Sequence, residues 1–334
     1  MFTKESINKI ISNLGEPEKL NHADKMLLGI SNLLLGNFET GWKYFEHRDG
    51  CIIPDFVKTT NIPAWNGESL EDKTIFVYFS DGYGDTLQFV RYLPILNAMG
   101  AKVLCFTQPE LTDLLRQSDL KAKFSSDFPI ADYHVSLMSL PYFLKARLDN
   151  IPFKSGYIKA PPEKVKYYKD NYFNNKKFKI GIVWQCRNLD DDGRFRTIHD
   201  ISLINNLPKI EGIEIYSLQK SKGTLELDEQ IKESGFIDIG QTFKDWTDTA
   251  AAVENMDLII CVDTSVGHLA GAMGKPTWFL LPCLPDWRWL LDTNKSYWYD
   301  SVKLFRQTEP YKWDDVINQV YTELKKITQQ KLIA

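Results

Sequence analysis

The second half of the chain alternates short apolar runs with longer stretches of helical spacing. The runs are FKIGIVWQ (178–185), IEIYSLQ (213–219), DLIICVD (257–263) and TWFLLP (277–282). Apolar runs of this length, separated by candidate helices, are typical of parallel strands joined by helical crossovers. The first half shows the same pattern, with TIFVYFS (74–80) and AKVLCFTQ (101–108) on either side of a helical stretch. The sequence therefore predicts an α/β protein with two doubly wound, Rossmann-like sheets.

The amino-terminal 50 residues have helical rather than alternating spacing. An apolar stripe that includes Met26, Ile30 and Leu33 pauses at Gly36, and a second helical stretch continues through Trp42. This pattern predicts a short N-terminal helical hairpin of the tetratricopeptide type. No second copy follows at a fixed period in the sequence, so a repeat array is excluded and the hairpin is at most one unit or a leader.

Composition marks a boundary in the middle of the chain. The segment 150–177 carries three prolines and many lysines, and it separates the two halves that are rich in predicted strands. We therefore predict a helical leader at 1–50, an N-terminal α/β domain at 51–160 and a C-terminal α/β domain at 161–310. The final stretch, 311–334, is predicted to be a helix that packs back across the junction.

Charge and cysteine usage limit the classes of partner. With 40 basic and 44 acidic side chains and a formal net charge of −4, the chain lacks a global field for holding a polyanion, so no nucleic-acid partner is expected. Its five cysteines include no CxxC pair, which favours a reduced, cytoplasmic protein. No signal-peptide pattern begins the sequence and no apolar run reaches the roughly 20 residues that span a bilayer, so membrane contact is expected to be peripheral at most.

The segment DTSVGHLAGAMGKP (263–276) follows a predicted strand and opens a predicted helix. A helix that begins near Ser265 directs its free amide groups and its positive dipole end toward the carboxyl edge of the sheet, where phosphate binds well. Gly267 would let a ligand approach the backbone closely, and His268 could donate to a phosphate or sugar oxygen. The alternative is that the polar residues only cap the helix and that His268 belongs to the core. The predicted anion site consists of Asp263, Thr264, Ser265, Val266, Gly267 and His268.

Further segments carry a family resemblance. They are GWKYFEHR (41–48), the stretch from Ile62 to Leu96, LLPCLPDWRWLLD (280–292), SYWY (296–299) and VKLFRQ (302–307). Together with the segment 263–276, they make the chain resemble glycosyltransferases of the ADP-heptose heptosyltransferase family, above all the branch in which tetratricopeptide repeats precede the catalytic domain.

The resemblance implies a GT-B fold, in which two Rossmann-like domains face a cleft. The N-terminal domain would take the acceptor and the C-terminal domain the nucleotide sugar. It also implies that no cofactor and no metal are needed, because a helix dipole and basic side chains neutralise the leaving diphosphate. The sequence agrees, since it contains no compact His/Asp/Glu metal-binding cluster.

The turn GYGD (82–85) follows the first predicted strand. Its two glycines allow a tight turn that leaves Asp85 at the predicted cleft, where the resemblance implies a general base that takes the proton of an acceptor hydroxyl. Many relatives have Glu-Gln where this chain has Ser80-Asp81, which makes Asp81 a second candidate. The alternative is that Asp85 only caps the following helix. The predicted acceptor side consists of Asp81, Gly82, Tyr83, Gly84 and Gln88.

Basic and amide side chains complete the predicted donor site. Arg194 and Arg196 match a basic, phosphate-facing position of the family, and a guanidinium can bind a diphosphate through paired hydrogen bonds. The alternative is a solvated loop in which these arginines pair with nearby aspartates. Gln219 and Lys220 end a predicted strand at the same sheet edge and are candidates for the nucleoside side, with a surface turn as the alternative.

Two further positions bear on the donor site. Cys186 stands where relatives usually have glycine, so the backbone there is expected to lie farther from the ligand. The run DWRW (286–289) is predicted to help shape the donor pocket, although tryptophans at such spacing are more often core than contact. Asp286 and Arg288 therefore rank low as site residues.

The expected function is metal-independent, inverting-type transfer of a sugar from a nucleotide-diphosphate sugar to a hydroxyl of a glycan, lipopolysaccharide or protein acceptor. A sugar-nucleotide epimerase and a non-catalytic nucleotide-sugar-binding module share the architecture and stay open as alternatives. An NAD-dependent oxidoreductase is disfavoured, because GYGDTL has Leu87 in place of the third glycine of the dinucleotide fingerprint and no acidic residue ends the next strand.

Overall fold

A computed structural model describes residues 2–48, 57–58, 61–124, 130–186, 191–220 and 225–333. The chain divides into two compact units. Phe2–Ile158 and Pro285–Thr293 form the N-terminal unit, and Lys159–Leu284 and Asn294–Ala334 form the C-terminal unit. The segment Pro285–Thr293, here called the 285–293 segment, thus belongs to the N-terminal unit although both of its neighbours in the chain belong to the C-terminal unit.

Three helices open the N-terminal unit, and two of them pack at close range. They are α1 (Lys4–Leu14), α2 (His22–Leu34) and α3 (Phe38–Phe45). A Cβ atom on Gly29 of α2 would lie 2.6 Å from the backbone nitrogen of Phe45, and one on Gly41 of α3 would lie 2.7 Å from the Leu33 side chain. Glycine is therefore required on both sides of the crossing. Membership of the tetratricopeptide class stays a prediction.

A four-stranded parallel sheet forms the centre of the N-terminal unit. Its strands are β1 (Thr74–Tyr78), β2 (Lys102–Phe106), β3 (Lys123–Phe124) and β4 (Tyr133–Ser136), in the order β3-β2-β1-β4. Its helices are α4 (Tyr83–Phe89), α5 (Leu93–Ala98), α6 (Pro109–Gln117) and α7 (Leu140–Phe143). The strand order reverses between β1 and β4, and ligands of such sheets bind outside the carboxyl ends of the strands at this point.

A six-stranded parallel sheet forms the centre of the C-terminal unit. Its strands are β5 (Phe178–Val183), β6 (Ile213–Ser217), β7 (Ile237–Asp238), β8 (Leu258–Val262), β9 (Thr277–Leu281) and β10 (Val302–Arg306), in the order β10-β9-β8-β5-β6-β7. Its helices are α8 (Pro162–Tyr172), α9 (Asp191–Arg196), α10 (Leu225–Ser234), α11 (Trp246–Glu254), α12 (Ser265–Ala272) and α13 (Asp314–Ile333). The order reverses between β5 and β8. The prediction of an α/β protein with two parallel sheets is thus confirmed.

The carboxyl-terminal helix α13 covers one face of the six-stranded sheet. Val316, Val320 and Leu324 of α13 join a buried cluster with Ile260 of β8 and Phe305 of β10. These three side chains recur every four residues, so one stripe of the helix faces the sheet. The predicted packing of this stretch across the junction stays a prediction. Among the helices of the described residues, none combines the length and apolar character needed to cross a membrane.

A buried histidine lies on β4. His134 packs against Tyr78 with ring centroids 5.8 Å apart, and its Nδ1 atom has no hydrogen-bond partner in the described part of the protein. Burial lowers the pKa of His134 from its ordinary value, because the charged imidazolium would lose its hydration. The folded unit therefore favours the neutral ring.

We expect stability to fall as the pH drops below about 6.5, because the unfolded chain then takes up a proton that folded His134 resists. His134→Leu should remove this contribution, so that urea midpoints measured at about pH 7.5 and about pH 5 differ less in the variant than in the wild type. Burial also lowers the pKa of His47. Because His47 is present in both proteins, its contribution cancels from the comparison. An equal pH dependence in both proteins would contradict the assignment.

Candidate active site

The carboxyl ends of β5 and β8 bring several predicted donor residues together. Val183 and Cys261 are partners in the register of these strands, and the two chains leave the sheet directly afterwards. The carbonyl oxygen of Asp263 accepts hydrogen bonds from Arg196 Nη1 at 3.1 Å and from the Cys186 thiol at 3.6 Å. The loop after β5 and the start of α12 are thus joined at the point where the strand order reverses.

The start of α12 presents its first amide groups at the same edge. Thr264 is the N-cap, with an extended backbone at φ −140° and ψ 164°, and its side chain makes no capping hydrogen bond in the described residues. Its carbonyl accepts from the amides of Gly267 and His268 at 3.0 and 3.2 Å, which begins the helix. The amides of Ser265 and Val266 belong to the helix turn that has no intrahelical acceptor. This is the geometry in which a helix binds an anion.

His268 is buried, and both of its ring nitrogens face polar groups. Nδ1 lies 3.0 Å from the hydroxyl of Tyr299, and Nε2 lies 3.6 Å from Oδ1 of Asp263. Asp263 is itself only 4% exposed. The contact with Tyr299 has the length of a hydrogen bond, whereas the contact with Asp263 is longer than one. His268 therefore packs beside Asp263, whose carbonyl lies at the reversal point, and a direct contact with a ligand stays a prediction.

The small residues of α12 fit the helix onto the sheet. A Cβ atom on Gly267 would lie 2.6 Å from Cys261 Sγ and 2.7 Å from Cε1 of the Phe279 ring, and closer still to Cζ of that ring. A Cβ atom on Gly271 would lie 2.7 Å from the ring of Tyr299. The position that a side chain of residue 267 would occupy therefore faces β8 and β9. Glycine at this position lets the helix pack closely on the sheet.

Of the other predicted donor residues, Gln219 is tied to the site by contacts. Its side chain accepts from the Gln185 amide at 3.1 Å and donates to the Gln185 carbonyl at 3.3 Å, which places it at the end of β5. Lys220 donates from Nζ to the Phe243 carbonyl at 2.6 Å. Arg194 has an exposed side chain, on the same short helix as Arg196.

In the N-terminal unit, the predicted acceptor residues open α4 beside the reversal point of the four-stranded sheet. Gly82 is the N-cap, Tyr83 and Gly84 form the first turn, and the Gly82 amide donates to Asp85 Oδ2 at 2.9 Å. Asp85 therefore does cap the helix, which is compatible with a second role. Ser80 links the turn to β4, because its hydroxyl lies 3.0 Å from that of Ser136.

Asp81 lies in the turn between β1 and α4. Its side chain is exposed, and Oδ2 accepts from the Ser80 hydroxyl at 2.9 Å. Its carbonyl accepts from Gln108 Nε2 at 2.8 Å, and Gln108 in turn accepts from Thr86 on α4 at 2.8 Å. The backbone of the turn is thus fixed while the carboxylate faces solvent.

A residue from the 285–293 segment completes the surroundings of Asp85. Arg288 donates from Nη2 to Asp85 Oδ1 and from Nε to Gln88 Oε1, and it donates from Nη1 to Asp286 Oδ1 at 2.9 Å. Its guanidinium lies 4.2 Å from the centre of the Trp287 ring. The sequence pattern of DWRW predicts a part in the donor pocket, with Arg288 as a minor candidate. The structure places this segment in the N-terminal unit, among the predicted acceptor residues.

The sequence analysis also did not predict a role for Arg48, a buried arginine that follows α3 and contacts the end of β4. Arg48 donates to Glu46 Oε1 and to Ser139 Oγ at 2.8 Å each, and to Ser136 Oγ at 3.4 Å. The only signal in the sequence is GWKYFEHR, which carried the resemblance without indicating a partner. The network ties the end of α3 to the loop after β4.

Comparison with known proteins gives one curated relative and several solved structures. No family model matches the chain. Protein FlbA from Caulobacter vibrioides is 24% identical over 322 residues, which cover 88% of this chain and 53% of that protein. The chain thus spans about half the length of the curated relative that it matches.

Solved glycosyltransferases superpose on most of the chain. Escherichia coli ADP-heptose lipopolysaccharide heptosyltransferase II aligns with a TM-score of 0.55 and 12% identity over 77% of this chain and 99% of its own. A family 9 glycosyltransferase from Veillonella parvula gives 0.51 and 13%, over 73% and 88%. The iron-containing dodecameric glycosyltransferase TibC from E. coli gives 0.50 and 12%, over 75% and 67%. The chain has the fold of these glycosyltransferases.

At this level of identity the likeness concerns the fold, and it confirms the resemblance to heptosyltransferases in that respect. The roles of individual residues stay predictions. Among the residues that the structure describes, no group of three or more His, Cys, Asp or Glu side chains is arranged to hold a metal ion.

Proposed function

We propose that the chain is a glycosyltransferase that moves a sugar from a nucleotide-diphosphate sugar to an acceptor hydroxyl, without a metal and with inversion. The observation that supports this most is the arrangement in the C-terminal unit, where Arg196 reaches the Asp263 carbonyl directly before the amide-rich start of α12. A guanidinium beside a helix N-terminus suits a diphosphate. Gln219, whose side chain bonds to the Gln185 backbone at the end of β5, is the proposed nucleoside-side residue.

In the proposed reaction, the acceptor oxygen forms a bond to the anomeric carbon on the face opposite the leaving group. The bond from that carbon to the phosphate oxygen breaks, and its electron pair leaves with the diphosphate. Asp85 takes the hydroxyl proton. The dipole of α12 and the charge of Arg196 stabilise the leaving diphosphate, which is the contribution that a metal ion makes in other enzymes.

The proposed donor class is supported by the relatives, and the proposed acceptor class comes from the family resemblance of the sequence. One of the similar structures is an ADP-heptose heptosyltransferase, so an ADP-linked heptose or hexose is the first donor to test. The acceptor is a hydroxyl of a glycan, a lipopolysaccharide or a protein. Neither class rests on a contact in this chain.

A non-catalytic nucleotide-sugar-binding module is the second candidate. The observation that favours it is that both carboxylate oxygens of Asp85 already accept hydrogen bonds, one from Arg288 and the other from the Gly82 amide. Such a module would bind the nucleotide sugar in the C-terminal unit and would release no diphosphate.

Ligand-induced stabilisation tests the donor site. We expect one of ADP, UDP, GDP and CDP to raise the melting temperature, because a ligand at 100 times its Kd stabilises the native state by about 2.7 kcal/mol, or roughly 5 °C or more for a unit of this size. NADH should have no effect. Arg196→Ala should weaken nucleotide binding by about tenfold or more, because it removes a charge-assisted hydrogen bond.

Lys209→Ala serves as the control, since Lys209 is an exposed cation of the same unit that bonds to Asn206. This variant should bind nucleotide as the wild type does. If no nucleoside diphosphate stabilises the wild type, or if Arg196→Ala and Lys209→Ala bind equally well, the proposed donor site is wrong.

A further inference from the structure

Arg288 connects three polar side chains, those of Asp85 and Gln88 on α4 and that of Asp286 on its own segment. Its Nε atom donates to Gln88 and its Nη2 atom to Asp85, while its Nη1 atom donates to Asp286 at 2.9 Å. Asp85 and Gln88 are three residues apart on α4, so they lie on the same helix face and one planar guanidinium can hold both. Arginine is suited to this task, because a lysine ammonium offers no fork of fixed geometry.

The guanidinium is itself held in place. Arg288 is 7% exposed and Gln88 is fully buried. The Trp287 ring lies 4.2 Å and the Phe89 ring 5.6 Å from the guanidinium carbon, so aromatic faces hold its plane. The Asp286 side chain also accepts from the Arg288 amide at 2.9 Å, which fixes the backbone of this short turn.

The carboxylate of Asp85 is consequently oriented from two sides. Oδ1 accepts from Arg288, and Oδ2 accepts from the Gly82 amide at 2.9 Å. Among the charged residues that the structure describes, Arg288 makes a direct ion pair with Asp85. Asp286 pairs with the same guanidinium, Asp81 lies in the turn that precedes α4, and Arg91 donates from Nε to the Gln88 carbonyl at 2.9 Å.

We propose that Arg288 is a positioning residue that holds the Asp85 carboxylate in one orientation toward the acceptor hydroxyl. This inference rests on the proposed function, in which Asp85 is the general base. Arg288 makes no bond to the reacting atoms and acts through the carboxylate. The 285–293 segment, which DWRW marks in the sequence, is thus a part of the acceptor side.

The test compares Arg288→Met with Arg288→Lys. The substrate in this assay is a nucleotide sugar that carries the nucleoside diphosphate by which the wild type is stabilised most. The measured signal is release of that diphosphate, and water serves as the simplest acceptor. Arg288→Met should lower kcat by about 10- to 100-fold, because the base is no longer aligned. The KM for the donor should stay within about twofold, since no donor residue is changed. Arg288→Lys should recover part of kcat.

The pH dependence separates positioning from a merely structural role. In Arg288→Met the acidic midpoint of the turnover profile should move upward by about one pH unit or more, because the carboxylate loses the cation that favours its charged form. Arg288→Lys should keep the wild-type midpoint. Arg116→Met is the control, because Arg116 pairs with Asp113 in an exposed pair of the same unit. This control should change neither kcat nor the midpoint.

A spectroscopic titration tests the same contact without turnover. With ¹³C-labelled aspartate, the Asp85 carboxyl resonance is assigned by its loss in Asp85→Asn, and its titration midpoint should rise in Arg288→Met. An unchanged midpoint in a folded Arg288→Met variant would overturn the proposal. If the midpoint rises but the wild type releases no diphosphate, the proposed function fails while the hold of Arg288 on Asp85 stands.

Discussion

Replacing Asp85 by asparagine is expected to lower diphosphate release by about 10²- to 10⁴-fold while nucleotide affinity stays unchanged. A general base contributes an effect of this size, and asparagine removes the proton acceptor while keeping the shape of the side chain. The asparagine oxygen can still accept from the Gly82 amide, so the cap of α4 survives. The donor residues lie in the other unit, in Lys159–Leu284, so binding should not respond. Single-turnover kinetics and the nucleotide melting shift measure the two effects separately.

Asp113→Asn is the matched control, because the same substitution then falls on an exposed helical carboxylate of the N-terminal unit. Asp81→Asn tests the second candidate, whose side chain faces solvent and accepts from Ser80. If Asp85→Asn retains turnover and Asp81→Asn loses it, the base is Asp81. If neither loses turnover in a protein that binds nucleotide, the carboxylates are structural and the chemistry lies elsewhere.

The strands that could be predicted from the sequence are those with long apolar runs. IEIYSLQ contains β6 (Ile213–Ser217) and TWFLLP contains β9 (Thr277–Leu281), because a strand buried on both faces reads as a continuous run. β4 (Tyr133–Ser136) was missed, since its apolar pattern is interrupted by His134 and Ser136. The position of β4 is set by pairing with β1, which is a tertiary effect that no local window contains.

The helix that the sequence predicts after GYGD is divided in the structure. α4 ends at Phe89, a 3₁₀ turn spans Val90–Tyr92, and α5 begins at Leu93. Pro94 explains the division, because proline lacks an amide hydrogen and its ring clashes with the carbonyl of the preceding helical turn. Proline is tolerated in the first turn of a helix, which is where α5 has it.

The candidate site was predictable in its local parts and not in its long-range parts. Strand, turn and helix follow each other within a few residues around Asp263 and around Asp85, so their spacing can be recognised. Arg288 lies 203 residues after Asp85, and nothing in the local pattern of DWRW indicates that it returns to the N-terminal unit. The same holds for Arg48, whose partners Ser136 and Ser139 are 88 and 91 residues away.

Gly267→Ala is expected to destabilise the C-terminal unit by ~3 kcal/mol and to abolish the nucleotide melting shift. The new Cβ would lie 2.6 Å from Cys261 Sγ and 2.7 Å from Cε1 of the Phe279 ring, with Cζ of that ring closer still, and both of these side chains are fully buried. Cys261 and Phe279 are register partners on β8 and β9, so the wall opposite the glycine belongs to the sheet itself. Overpacking of this kind typically costs about 1–3 kcal/mol in stability, and more where the neighbouring side chains cannot move. The gain of about 1 kcal/mol in helix propensity is smaller.

The overlap is relieved only if α12 moves away from the sheet. This movement would also displace the amides of Ser265 and Val266. Gly212→Ala is the control for the substitution itself, because Gly212 has φ +82° and no atom within 4 Å of the added Cβ, so only backbone strain of about 1–2 kcal/mol is expected. In a Phe279→Leu background, which removes the outer ring carbons, Gly267→Ala should cost less than in the wild type. This coupling measures the contact between helix and sheet directly. Equal costs in the two backgrounds would mean that the ring of Phe279 does not limit how closely α12 approaches, and the packing that fixes the proposed phosphate site would then have another origin.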